Sequence, residues 1–383
     1  MLRTILAILA LLLSGLALFT ALWIVLPAPV YRLWQLAVAA SEWSLWLGLL
    51  ALIGIAFSFG ARALGNRWAV PLTLSLSVIT LVLALIPPIQ AWRVARSNGV
   101  ALSIGRYFAG TNVPSIGPQE ITFATVGGQR LKLDAYTASD PAEPRPAIVV
   151  VHGGSWSGGD KRDFPRWNQW LVEQGYHVFD VQYRLAPQPN WQTATGDVKC
   201  AIGWVRQNAA QFNVDPDRIA LLGRSAGGHL ALLAAYTPSD PSLPPSCAAP
   251  DTSVNAVISF YGPADLIWGY NNPANPDVID GPGTLRRFLG GDPQTAAEAY
   301  RIASPITHVN AQTPPTLLLH GGRDQLVGQR HAELLADQLQ AANVPYKTVF
   351  IPYGQHGFDF NFNGWSAQIA QPAIADFLAT YVK

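Results

Sequence analysis

Two cysteines, Cys200 and Cys247, are all that a chain of 383 residues contains. That is too few for a disulfide framework or a thiolate metal cluster, so both are expected as free thiols. Charge is scarce too: Asp, Glu, Lys and Arg make up 13% of the chain, and the net charge is +1. The scattered lysines and arginines give no basic footprint for nucleic acid. No glycine loop of the phosphate-binding kind appears, and there is no internal repeat.

What the chain has in excess is apolar sequence, 50% of all residues. The excess lies near the start, where residues 4–26, 43–64 and 69–89 are each long enough to cross a bilayer as a helix. Gly48, Gly54, Gly60 and the nearby Glu42 weaken the second run. The first run exceeds the apolar core of a signal peptide and lacks a small-x-small cleavage site, so it is expected as an uncleaved anchor. Core helices of a water-soluble domain are disfavoured, because the three runs leave almost no polar face. Trp34, Trp43, Trp46, Trp68 and Trp92 lie near the expected ends, as interfacial aromatics do. Residues 93–119 read as a polar, glycine-rich linker. Three spans would place everything after them opposite the N-terminus. Arg3, Arg62, Arg67 and the terminal amine nearly balance Arg32, Arg93 and Arg96, so charge alone does not choose the side. The first span, with Arg3 and the amine ahead of it, favours a cytoplasmic N-terminus and an extracytoplasmic remainder.

That remainder, residues 120–383, reads as one α/β domain. Strand-like runs at 120–125, 130–136, 147–151, 177–182, 219–222, 256–261, 316–320 and 346–351 alternate from the third onward with helical stretches. The helices are expected at 162–174, 191–211, 226–236, 329–342 and 365–382. This pattern describes a doubly wound, mostly parallel sheet with helices on both faces. The segment 262–293, rich in Pro, Asn, Asp and Gly and carrying Trp268 and Tyr270, reads either as a lid over a substrate pocket or as a surface loop.

Within this domain Gly223-Arg224-Ser225-Ala226-Gly227 places a serine at a sharp strand-to-helix turn. A serine hydroxyl is a poor nucleophile unless a base takes its proton, a carboxylate orients that base, and donors meet the oxyanion. His356, in the loop after the last strand, is the candidate base. Asp324, in the glycine turn after the strand-like run 316–320, is the preferred acid, with Asp265, Asp292 and Asp359 as rivals. His320 and His331 read as a strand-end and a helix residue, and His229 as a packing or hydrogen-bonding residue. The strand 147–151 runs into His152-Gly153-Gly154-Ser155-Trp156, where the amides of Gly153 and Gly154, with that of Ala226, form a candidate oxyanion hole. Ser155 and Trp156 stand beside it as candidate substrate contacts.

His152-Gly153-Gly154-Ser155-Trp156, then Gly158-Gly159-Asp160-Lys161, Tyr183-Arg184-Leu185-Ala186-Pro187 and Gly223-Arg224-Ser225-Ala226-Gly227-Gly228-His229 occur in one order. In this the chain resembles the alpha/beta hydrolases, in the branch of hormone-sensitive lipase and the bacterial carboxylesterase or feruloyl-esterase-like enzymes. The resemblance covers residues 120–383. It implies a cofactor-free esterase with its triad on Ser225, Asp324 and His356, acting on a small-molecule or lipid-like ester. Ser155 departs from it where the family often has a third glycine, which bears on the shape of the acyl pocket. The expectation is therefore a serine carboxylesterase anchored in a bilayer. A peptidase with the same triad and a non-catalytic interaction module are the alternatives.

Overall fold

The computed structural model describes residues 1–110, 117–137 and 143–383. The N-terminal region is helical: α1 (Leu2–Leu22), α2 (Tyr31–Glu42), α3 (Ser44–Ala63), α4 (Ala69–Ala84) and α5 (Ile86–Ser97). α1 ends a turn earlier than expected, ahead of Pro27 and Pro29, neither of which could continue a helix. α5 follows α4 almost without a break, because Pro87 and Pro88 occupy its first turn, where a missing N–H costs nothing. α1, α3 and the α4–α5 run are the three helices long and apolar enough to cross a membrane. Their pattern is inverted relative to a water-soluble bundle. Small residues face inward, among them Ala10, Ser14 and Ala17 of α1, Ala51 and Gly54 of α3 and Ser77 of α4, while Leu12, Leu16, Leu52, Phe59 and Val82 point out. The approach is close: a Cβ on Gly54 would stand 2.2 Å from Ser14 Oγ, and Ser14 Oγ lies 2.9 Å from Ser77 Oγ. Backbones pack this way where small side chains and hydroxyl bonds hold helices together in place of hydrophobic collapse.

The remainder is an eight-stranded sheet in the order β1-β2-β4-β3-β5-β6-β7-β8. Its strands are β1 (Gln119–Val126), β2 (Gln129–Tyr136), β3 (Arg145–Val151), β4 (His177–Val181), β5 (Val214–Arg224), β6 (Ala256–Phe260), β7 (Thr316–Gly321) and β8 (Tyr346–Ile351). β1 and β2 are antiparallel, and β4, β3 and β5 through β8 run parallel. Helices α6 (Ile104–Phe108), α7 (Pro165–Glu173), α8 (Trp191–Gln207), α9 (Ala209–Phe212), α10 (Ala226–Tyr236), α11 (Leu266–Asn271), α12 (Gly281–Leu289), α13 (Ala297–Ala303), α14 (Arg330–Ala341) and α15 (Trp365–Tyr381) complete it. The two-residue period of β3 sends Ala147, Val149 and Val151 into the core under α8, α10 and α14, and Ile148 and Val150 into the core under α7 and α15. The larger of these, Ile148, Val149, Val150 and Val151, each contribute roughly 1.5–3 kcal/mol by burial.

The N-terminal helices are seated on the sheet domain. Tyr107 Oη of α6, whose ring stacks on Trp365 of α15 at 4.5 Å, accepts the Leu45 amide of α3 at 3.2 Å, Trp43 meets Phe360 edge-on at 5.0 Å, and Ser366 Oγ donates to the buried Glu42 at 2.6 Å. Of the expected linker, residues 93–97 lie in α5 and 104–108 in α6, while 111–116 fall outside the described residues.

The expectation of free thiols is corrected: Cys200 of α8 and Cys247 form a disulfide, their Cα atoms 5.3 Å apart. Small residues on α8 allow it. Ser246 N donates to Gly196 O at 2.9 Å, and a Cβ on Gly203 would stand 2.3 Å from the Ala249 methyl, so the returning chain lies flat on the helix beside Cys200. Two cysteines 47 positions apart carry no local sign of this.

Candidate active site

The site sits at the carboxyl ends of the parallel strands. β5 ends at Arg224 and α10 begins at Ala226, leaving Ser225 alone in the turn at φ 54°, ψ −122°. Such a conformation costs a non-glycine residue roughly 1–3 kcal/mol. It persists because its surroundings fix it: Ser225 N donates to Phe260 O at 2.9 Å, and the flanking backbones touch. A Cβ on Gly223 would lie 2.1 Å from Gly227 O, and one on Gly227 would lie 2.2 Å from Val151 O, so neither position accepts a side chain.

His356 lies in the loop after β8 and Asp324 in the loop after β7, and the two meet over the turn. His356 Nε2 is 2.8 Å from Ser225 Oγ, and its Nδ1 is 2.7 Å from Asp324 Oδ2. The carboxylate oxygen can only accept, so Nδ1 carries the proton and Nε2 is left to accept from the serine hydroxyl. Asp324 Oδ1 takes the amides of Leu326 at 2.8 Å and Val327 at 2.9 Å. Burial would raise this carboxyl, but the imidazoles of His356 and His320 more than offset it and hold it well below the usual range. His320 is therefore more than a strand-end residue: its Nε2 donates to Val327 O at 2.8 Å and lies 3.4 Å from Asp324 Oδ2.

The rival acids have other partners. Asp265 caps α11 through the Trp268 amide at 2.9 Å, and Asp292 accepts from the backbone and hydroxyl of Thr295. Asp359 is buried against Arg224 at 2.6 Å and accepts from Tyr261 Oη at 2.5 Å. The Arg224 guanidinium also stacks on Phe164 at 4.1 Å, and the Tyr261 ring lies 4.4 Å from that of His356. This pair ties the serine turn to the histidine loop. Removing one partner of so buried a pair costs about 3–5 kcal/mol.

The loop after β3 passes beside the serine, close enough that a Cβ on Gly153 would stand 3.2 Å from Ser225 Cβ. Ser155 and Trp156 both take positive φ, 52° and 57°, which turns the loop sharply. The amides of Gly153, Gly154 and Ala226 have no acceptor among the described residues. Ser155 and Trp156 line a cleft of about 660 Å³, mouth included, that holds Ser225 and His356. Trp156 is a wall rather than a polar contact. Its indole stacks on Phe288 at 4.2 Å and donates to His229 Nδ1 at 3.2 Å. His229 Nε2 in turn donates to Ala303 O at 2.7 Å, and burial pushes this imidazole down to about 4.

The segment 262–293 forms much of the remaining wall through Leu266, Ile279 and Leu285. His331, which reads in sequence as an ordinary helix residue, also lines the cleft. Its Nδ1 accepts the amides of Ala264 and Asp265 at 3.3 Å, so Nε2 carries the proton, and burial pushes the ring down to about 3. Gln325 and Gln355, the chain neighbours of Asp324 and His356, are buried, and their side chains bond each other at 3.1 Å. Nothing in the sequence pattern marks these three residues. Among the described residues, no cluster of three or more His, Cys, Asp or Glu could hold a metal ion.

A mostly parallel eight-stranded sheet with a serine in the turn after β5, and an acid and a histidine in the loops after β7 and β8, defines an alpha/beta hydrolase. The BD-FAE family model matches residues 133–339, more than half of the chain, which therefore belongs to that family. Among curated proteins it is similar to the probable carboxylic ester hydrolase LipM of Mycobacterium tuberculosis, 38% identical over 240 residues, covering 61% of this chain and 54% of LipM. It is also similar to esterase LipQ of the same organism, 33% identical over 280 residues, covering 71% of this chain and 63% of LipQ. The chain thus spans between about half and two thirds of these relatives' length. Esterase 2 of Thermogutta terrifontis superposes with a TM-score of 0.56 at 27% identity, over 69% of this chain and 92% of that one. A truncated carbohydrate esterase from gut microbiota shares the fold with a TM-score of 0.58 at 23% identity, over 69% of this chain and all of that one.

Proposed function

We propose that the protein is a serine carboxylesterase held in a membrane by three N-terminal helices. The observation that carries the reading is the His356 imidazole, within hydrogen-bond distance of both Ser225 Oγ and Asp324 Oδ2. In this scheme Nε2 takes the serine proton as Oγ attacks an ester carbonyl. The amides of Gly153, Gly154 and Ala226 receive the oxyanion, and Asp324 orients the imidazole and supports its charged form. Collapse expels the alcohol with the proton from Nε2, leaving an acyl group on Ser225. Water, deprotonated by the same nitrogen, releases the acid and restores the serine. No cofactor takes part. Ser155 and Trp156 border the carbonyl, and the apolar wall of Leu266, Ile279 and Leu285 favours an acyl or alcohol group without charge.

Membrane anchoring is supported by the outward-facing leucines and inward-facing small residues of α1, α3 and α4. Placement of the catalytic region outside the cytoplasm gains support from the Cys200–Cys247 disulfide, since such bonds persist in oxidising compartments. The full-length protein is tested against p-nitrophenyl esters of graded acyl length and the matching anilides. Ester turnover that Ser225→Ala abolishes is expected. Preference for the anilides would favour a peptidase, and no Ser225-dependent turnover of either would favour a non-catalytic role.

A further inference from the structure

Three residues flanking Asp324, namely Arg323, Gln325 and Leu326, reach back to the N-terminal helices. Gln325 Oε1 accepts the Ala28 amide at 2.7 Å, from the turn between α1 and α2, and its Nε2 donates to Gln355 Oε1 at 3.1 Å, next to His356. Asn275, in the segment that walls the cleft, spans the same junction, donating to Ala28 O at 2.8 Å and to Gln325 Oε1 at 2.9 Å. The Arg323 guanidinium donates to Val25 O. Leu326, which lines the cleft, packs against a small cluster made by Ala28, Trp34, Val38 and Val278. One buried amide side chain therefore touches the α1–α2 turn, the acid loop, the base loop and the cleft wall. A buried amide offers at most two donors and two acceptor sites, and here both ends have partners, so the side chain has one orientation.

We propose that the α1–α2 turn is a built part of the catalytic centre and that Gln325 is a positioning residue, fixing the acid and base loops in register on that turn. The inference rests on the esterase reading above. Its physical basis is that Asp324 and His356 come from separate loops, and reacting geometry is sensitive to displacements of about 1 Å. The anchor then contributes to catalysis as well as to location.

The test uses the full-length protein in detergent or vesicles and compares wild type with Gln325→Met, which keeps the volume and removes every bond, and with Asn275→Ala. For Gln325→Met, kcat on a soluble short ester is expected to fall roughly 10- to 100-fold with KM within about twofold. The acid limb of its pH–rate profile should move to lower pH, because the imidazolium loses part of the Asp324 carboxylate's support. Asn275→Ala should do the same more weakly, since Ala28 and Gln325 keep their direct bond. A kcat within twofold of wild type in a folded Gln325→Met protein overturns the proposal. So does a rise in KM at unchanged kcat, or a loss that follows the unfolding temperature with the pH profile unmoved. Ser225-dependent turnover that is indifferent to Gln325 faults the positioning alone. A wild type without Ser225-dependent turnover overturns the esterase reading and this inference together.

Discussion

Replacing Asp324 by asparagine exchanges one oxygen for an NH2 group, and the surrounding bonds decide which. Oδ1 accepts two backbone amides, from Leu326 and Val327, and only an oxygen can do that. The NH2 group must therefore take the place of Oδ2, facing His356 Nδ1 across 2.7 Å. Two donors cannot face each other, so Nδ1 gives up its proton and Nε2 becomes the protonated nitrogen. It then presents N–H to Ser225 Oγ and cannot take the serine proton. Loss of the correct tautomer together with the charge that supports the imidazolium is worth about 10⁴-fold in kcat, or ~5 kcal/mol of transition-state stabilisation. Because the two amide bonds survive, the variant should fold. The assay is kcat on a short p-nitrophenyl ester at neutral pH, beside an unfolding temperature close to wild type. A folded Asp324→Asn protein that retains a tenth or more of wild-type turnover would refute the reasoning.

Two further predictions concern the junction with the N-terminal helices and the disulfide. Burial pushes the Glu42 carboxyl up to about 8, so it binds its proton more tightly folded than unfolded. Its contribution is fully present below about pH 4.5 and is lost as the pH rises through about 8, on the order of 4–5 kcal/mol at the upper end. Glu42→Gln, which keeps an acceptor for Ser366, should raise the unfolding temperature at alkaline pH and change it little near pH 4; an equal shift at both would contradict the burial argument. For the disulfide, the unreduced denatured protein should take up no iodoacetamide and the reduced protein two equivalents, and Cys200→Ser should cost about 2–5 kcal/mol. Alkylation without reduction in protein freshly isolated from its membrane would also remove the support for an extracytoplasmic domain.

The eight strands are legible because each is a short apolar or alternating run near Gly, Pro, Asn or Asp, and the central parallel ones, such as β3, β4, β6 and β7, are buried on both faces. Ser225 is legible because the close approach of β3, β5 and α10 leaves room only for glycine at positions 223 and 227. His356 and Asp324 could be chosen by chain order and by their places after strands. What stays hidden depends on distant partners. α2 is amphipathic and short between two apolar runs, and its apolar residues find their places against distant partners, Trp34 and Val38 beside Val278 and Leu326 and Ala40 beside Ala21 and Ile24. His331 and Gln325 find bonding partners 67 and 297 positions away. The disulfide is hidden for the same reason. Gly196 and Gly203 flank Cys200 at spacings that let a chain approach, but a glycine in a helix does not say which chain.

The central claim, that Ser225 is a nucleophile activated by His356 and Asp324, is tested most directly by treating the full-length protein with a fluorophosphonate and mapping the adduct by peptide mass spectrometry. One equivalent should attach to the peptide carrying Ser225. The label should be absent from Ser225→Ala, slowed by orders of magnitude in His356→Ala, and matched by loss of ester turnover in the same samples. Labelling elsewhere, or no labelling of a protein that still hydrolyses esters, would contradict the account.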